Sequence, residues 1–199
     1  MADRNKTTLW AKAATIALGL MAGLISGWWA ITGGMGGQNY SGWYGSSVTG
    51  SRDADPWLRA RVAVSGLLAL NKSQALYFTR KTDDGGEPLR EECRYRVTGS
   101  RIPGQWWSVT VYAADNYLPL NDDDALSFDS TEVKLDAAGQ WSAVLAPVRP
   151  AAEEAWASTR KAGNFDITLR IYQPSTRAQA DYASIPMPRV SKLDCGGKA

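Results

Sequence analysis

The strongest constraint on this chain is a run without charge. Ala13 to Ile31 (AATIALGLMAGLISGWWAI) is 19 residues long, close to the roughly 20 that a helix needs to cross a hydrocarbon layer of about 30 Å. The flanks suit that use. Trp10 precedes the run, and Trp28 and Trp29, near its end, stand 18 and 19 positions after Trp10. At about 1.5 Å per helical residue the indoles are about 27 Å apart, the placing of belt aromatics at two interfaces. Lys12 reaches back to the headgroups, and Arg4, Lys6 and Lys12 against Asp3 set the N-terminus on the cytoplasmic side by the positive-inside rule. A cleaved signal peptide starts the same way, but its peptidase wants small residues at alternate positions, and this run ends in Trp28, Trp29 and Ala30. No cysteine follows closely enough for a lipoprotein anchor. The expectation is an uncleaved single-pass helix over 13–31, with residues 1–12 as a basic tail inside and the rest outside.

Gly19, Gly23 and Gly27 stand four apart within the run, and Ala11 and Thr15 extend the same stripe of small side chains. In lipid, helices attract each other mainly by close packing, which such a groove permits. The partner it implies, beside membrane lipid, is another membrane protein or a second copy of this chain.

Outside the run the charges balance. The first twelve residues carry three basic and one acidic residue and 13–51 none, so residues 52–199 hold 19 of each sign. A neutral domain gives no ground for a nucleic-acid partner. The chain also has no histidine, which excludes every mechanism that uses imidazole as base, shuttle or zinc ligand.

Residues 33–51 hold seven glycines and no charge, and 32–52 are read as a flexible linker outside any core. Tyr40, Trp43 and Tyr44 are unusual for a spacer and rest either on the bilayer or on the domain. The outer domain, 53–199, opens with Asp55-Pro56, an N-cap and first-turn proline, before Trp57, Leu58, Val62, Leu67 and Leu68 at helical spacing up to Asn71. Period two then takes over. Residues 75–81, 93–98, 106–113, 126–130, 141–145 and 165–172 read as strands rich in β-branched and aromatic residues. Turn signals at 83–86, 114–116 and 137–139 fall where hairpins would reverse. The pattern predicts a mainly β fold, an antiparallel β-sandwich behind one amphipathic helix and the membrane span, with Trp107, Val109, Val111, Phe165, Ile167, Leu169 and Ile171 inward. Cys93 and Cys195, an even count in an exported domain, are expected to pair and pin the C-terminal strand.

The phrases WWSVTVYAADNYL (Trp106 to Leu118) and GNFDITLRIYQP (Gly163 to Pro174) resemble the bacterial domain of unknown function 1214 family. The likeness extends to the lead-in Asp53 to Phe78 and to Met187-Pro188 before Cys195. The resemblance implies a jelly-roll-like sandwich, often exported, without an agreed activity. Two positions depart from the family's phrases. Ala155-Trp156-Ala157-Ser158 stands where many members have N-W-L-P, and Ala113 replaces an aspartate, although Asp115 remains.

Catalytic constellations are sparse. Ser158 to Lys161 fits S-x-x-K, but its companions S-D-N and K-T-G are absent, so the segment reads as a solvated loop. Asn121 to Asp124 with Asp129 resembles a calcium loop, yet Val133 occupies the bidentate position, and an acidic surface turn is the better reading. Tyr112, Asp115, Tyr117, Trp156, Arg170 and Tyr172 remain as a rim for a ligand or partner, since aromatics around one arginine form a sugar or lipid-headgroup platform. No cofactor and no metal is expected. The sequence therefore points to a non-enzymatic accessory or interaction protein of the bacterial inner membrane with a periplasmic domain. Its rival is an envelope domain that binds, or hydrolyses, carbohydrate or lipid.

Overall fold

The computed structural model describes residues 2–32, 37–64, 69–151 and 154–196. The uncharged run lies in helix α1 (Ala2–Thr32), whose stretch Thr8–Ala30 is 23 residues long, apolar enough to cross a membrane, and nowhere buried against the rest of the chain. Trp10, Trp28 and Trp29 stay exposed on it. Its C-terminal end meets α2 (Pro56–Val64). The Trp57 ring lies 3.8 Å from where a Cβ on Gly27 would stand, and Arg61 Nη2 donates to the Ala30 carbonyl at 2.8 Å. That carbonyl is one of those a helix end leaves open, and a cation suits it. The glycine stripe therefore divides: Gly27 packs against the same chain, while Gly19 and Gly23 have nothing within 4 Å.

The capping prediction for α2 holds, since Asp55 Oδ1 accepts from the backbone N–H groups of Trp57 and Leu58 at 2.8 and 3.0 Å. The predicted extent does not. The helix is described as far as Val64 and buries only Leu58 there, residues 65–68, with Leu67 and Leu68, lie outside the described residues, and Asn71 belongs to a turn. Asn71 Oδ1 accepts from both the backbone and the hydroxyl of Ser73, a local bond that competes with helix.

The described strands are β1 (Gln38–Tyr40), β2 (Trp43–Gly45), β3 (Ala75–Arg80), β4 (Cys93–Gly99), β5 (Trp106–Ala113), β6 (Ser127–Asp129), β7 (Trp141–Ala146), β8 (Ala155–Ser158), β9 (Phe165–Tyr172) and β10 (Arg189–Cys195). A short helix α3 (Thr176–Ala180) and one 3-10 turn (Tyr182–Ser184) separate the last two. One sheet has the order β1-β2-β3-β9-β5-β6 and the other β10-β4-β7-β8. All neighbours are antiparallel except β7 and β8, which run parallel. Of the three predicted turns, 114–116 joins the paired strands β5 and β6, and 83–86 reverses the chain so that Thr82 and Pro88 form an antiparallel bridge. The turns at 83–86 and 137–139 lead from one sheet to the other, so most pairing is between strands distant in sequence.

The two sheets close on one core. Leu76, Phe78, Trp107, Val109, Ile167 and Leu169 come from one face, and Tyr95, Val97, Ala143, Leu145 and Val190 from the other. Every residue predicted to point inward on β5 and β9 is buried. The glycine-rich linker is corrected: 33–36 lie outside the described residues, but β1 and β2 form a hairpin that extends the larger sheet through Tyr44 against Thr79. Trp43 is 0% exposed and donates its indole N–H to Pro188 O at 2.7 Å, while Tyr40 packs against Phe78 and Tyr182. Tyr40 and Trp43 thus dock on the domain. Burial of these rings outweighs the poor strand propensity of their glycine neighbours.

Cys93 and Cys195 are bonded to each other, and they face one another in the β4–β10 register. As predicted, the bridge pins the C-terminal strand. Arg94 and Asp194, the next pair in that register, form an ion pair across the same two strands.

Candidate functional site

Alternation that sends the apolar residues of β5 and β9 inward leaves Trp106, Ser108, Thr110 and Tyr112, and Asp166, Thr168, Arg170 and Tyr172, on the outer face of the larger sheet. Register then sets them in rows: Trp106 beside Tyr172, Ser108 beside Arg170, Thr110 beside Thr168, and Tyr112 beside Asp166. From the other side β3 adds Tyr77 opposite Arg170 and Thr79 opposite Thr168, the two threonine hydroxyls 3.1 Å apart. The result is a polar and aromatic face lying over an apolar core.

Arg170 organises its middle. It donates to Thr110 Oγ1 at 3.1 Å and to the Tyr112 hydroxyl at 2.5 Å, and its guanidinium lies 5.3 Å from the Tyr112 ring centroid. Asp166 is 9% exposed. Burial pushes its carboxyl up to about 6, against the opposing pull of Lys81.

At one end of this face the row Trp106–Tyr172 borders a cleft of about 600 Å³. The two rings have centroids 5.2 Å apart and are tilted by 50°. Gln105 precedes β5, Gln173 follows β9 and Gln74 precedes β3, so pairing brings three glutamines to the same end of the sheet. Their backbones are tied together, since Gln105 N–H donates to Tyr172 O and Gln173 N–H to Gln74 O.

The six rim residues do not form one rim. Tyr112, Arg170 and Tyr172 share the outer face. Trp156 lies on β8 of the other sheet, is buried, and donates its indole N–H to Ala146 O, with Arg149 over its ring. Asp115 and Tyr117 belong to the turn beyond β5, where Asp115 accepts from the Tyr117 N–H and the Tyr117 ring is 74% exposed. Sequence reasoning also passed over Trp106 and the three glutamines. Alternation carried a signal for Trp106, because an inward Trp107 requires its neighbour to face out.

The S-x-x-K segment is not a solvated loop. Ser158 is buried and donates to Asp123 Oδ2 at 2.6 Å, and Arg160 pairs with the same carboxylate at 2.6 Å. These bonds, Arg160's first, hold the Asp123 carboxyl down at about 2. The acidic turn is thus tied to the loop after β8, and Lys161 stands in the left-handed region with φ 62°. Among the described residues no cluster of three or more acidic or cysteine side chains has the makings of a metal site.

The family described as Protein of unknown function (DUF1214) matches residues 74–176, from the start of β3 through β9, and so contains the outer face described above. The crystal structure of the VPA0106 protein from Vibrio parahaemolyticus is similar over 71% of this chain and 36% of that one, with a TM-score of 0.58 and 20% identity. A putative uncharacterized protein from Burkholderia cenocepacia is similar over 63% of this chain and 31% of that one, with a TM-score of 0.40 and 17% identity. The chain thus spans well under half the length of these solved proteins. No curated protein matches. At such identities the likeness to the Vibrio protein is one of fold.

Proposed function

Since the chain belongs to the DUF1214 family of proteins of unknown function, we propose that it is a membrane-tethered accessory domain without a catalytic site: α1 anchors it in the bacterial inner membrane, and the sandwich engages an envelope component in the periplasm. The observation that carries this reading is the freedom of α1. A mainly apolar stretch of 23 residues that meets the rest of the chain only near Gly27 and Ala30 costs free energy in water and gains it in lipid. A bonded cysteine pair agrees with an oxidising compartment. The open Gly19 and Gly23 leave a groove for a second helix, in another membrane protein or another copy.

Fusing alkaline phosphatase after residue 199 tests the topology. Enzyme activity together with an intact mass that retains residues 1–31 is the expected result. An inactive fusion, or a mature chain that has lost those residues, overturns the anchor. A second reading, in which the sandwich holds a ligand of its own, is favoured by the cleft beside Trp106 and Tyr172.

A further inference from the structure

We propose that the cleft at the Trp106–Tyr172 end of the larger sheet is a binding site for neutral carbohydrate. The proposal deepens the ligand-binding reading and does not depend on the anchor. It begins with the aromatic pair. Register fixes Trp106 and Tyr172 side by side on strands packed into the core, and their rings pack against each other as a tilted pair on the outer face. The axial C–H groups of a pyranose form an apolar patch that suits the face of such a ring.

A sugar also carries hydroxyls that donate and accept at once, and carboxamides answer both needs. Gln74, Gln105 and Gln173 supply three of them around the rings, with the Ser73 hydroxyl nearby. Among the described residues, none of these carboxamides makes a hydrogen bond. The indole N–H groups of Trp43, Trp141 and Trp156 each donate to a carbonyl. That of Trp106 has no partner among the described residues, so it too is available. Apart from the Ser73 hydroxyl, which donates to Asn71 Oδ1, the cleft thus collects donors, acceptors and apolar faces that the fold itself leaves unused.

Charge selects among ligands. No described residue lining the cleft is ionisable at neutral pH, so a phosphate or a lipid headgroup would be desolvated there without a counter-charge. A neutral sugar meets no such cost. Gln173 adds a further mark, since it is held at φ 45°, a conformation that glutamine has no special means to adopt. Strain of this kind persists only where the surroundings impose it, and it gathers at ligand sites.

The test uses the full chain in nanodiscs, titrated by calorimetry with cellohexaose, maltohexaose and chitohexaose, and with lysophosphatidylcholine as the lipid probe. Saturable binding of at least one hexasaccharide, with a dissociation constant of about 1 mM or tighter, is the expected outcome. Trp106→Ala should weaken it about tenfold or more, and Gln105→Ala and Gln173→Ala by several-fold. Trp57→Ala, on α2, should leave it unchanged. A retained Cys93–Cys195 bond and an unchanged circular dichroism spectrum show that each variant is folded. The proposal is overturned if none of the three sugars binds, if binding survives all three cleft substitutions, or if the lysolipid binds in the cleft instead. Sugar binding by a chain that fails the phosphatase test removes the anchor and leaves the cleft standing, and the reverse result does the opposite.

Discussion

At Asp166 the residue pattern and the folded environment disagree. Alternation puts it on the outer face with Thr168 and Arg170, where a carboxylate is expected to meet water. Its position between Tyr112 and the end of β3 leaves it nine-tenths covered instead. A carboxyl pushed from 3.8 up to about 6 binds its proton more tightly folded than unfolded. The protein therefore loses stability as pH rises from about 4 to about 6, and above that range the ionised group costs about 3 kcal/mol. Asp166→Asn removes the titration. The stability of the variant relative to the parent, from urea unfolding, should climb by roughly that amount between pH 4 and pH 7. A difference that stays flat with pH would show that the carboxylate is solvated. The sequence could not reveal this burial, because it depends on which side chains flank β9, and these come from β3 and β5. For the same reason it grouped Trp156 with Arg170 as an aromatic beside an arginine, although their strands lie in different sheets.

Elements were legible to the extent that their own residues determined them. β3, β4, β5, β7 and β9 carry β-branched and aromatic residues at period two and appear within a residue or so of their expected ends. The missed strands have contexts that override composition. β8 is four residues of AWAS, poor in β formers, and is held by parallel pairing to β7 and a buried Trp156. β1 and β2 looked like spacer because glycine is needed there: a Cβ on Gly45 would sit 2.5 Å from the Phe78 ring. β10 is mostly exposed, with only Val190 buried, so little hydrophobic pattern marks it. Its attachment rests on the β4 ladder, the disulfide and Asp84, whose carboxylate accepts from Arg189, Val190 and Ser191. Cys195→Ser accordingly tests an element. Opening a crosslink between positions 102 apart should lower stability by up to about 4.7 kcal/mol in the chain-entropy model. Hydrogen exchange should show the loss of protection first in Arg189–Asp194 rather than in β9. Uniform loss across both sheets would mean that β10 is integral to the core rather than pinned to it. In the candidate cleft, Tyr172 was readable from alternation, whereas the glutamines were not, because polar residues at strand ends look like any turn until pairing shows which ends coincide.

For the molecule as a whole, the question is what holds it at a bilayer, and two features answer differently. α1 offers a 23-residue apolar span, which binds lipid in a way that salt does not weaken. α2 and the turn before it offer Arg52, Arg59 and Arg61 close to the C-terminal end of that span, through the Trp57 and Arg61 contacts. A basic cluster of that kind attracts anionic headgroups, by about 1 kcal/mol per residue, and is screened within about 8 Å at physiological ionic strength. Two of the three arginines are already engaged: Arg59 donates to the carbonyls of Ala54 and Arg52, and Arg61 to that of Ala30. With residues 52–199 neutral only when these three arginines are counted, the cluster is too small to hold the domain alone. Vesicle flotation separates the two contributions. The full chain should float with neutral and with anionic vesicles alike, and stay bound in about 1 M salt, where the screening length falls to about 3 Å. A chain beginning at residue 37 should stay at the bottom of the gradient with either vesicle. If that shorter chain floats with anionic vesicles at low salt and is released at high salt, α2 is a second membrane contact, and the sandwich lies against the bilayer instead of hanging from its anchor.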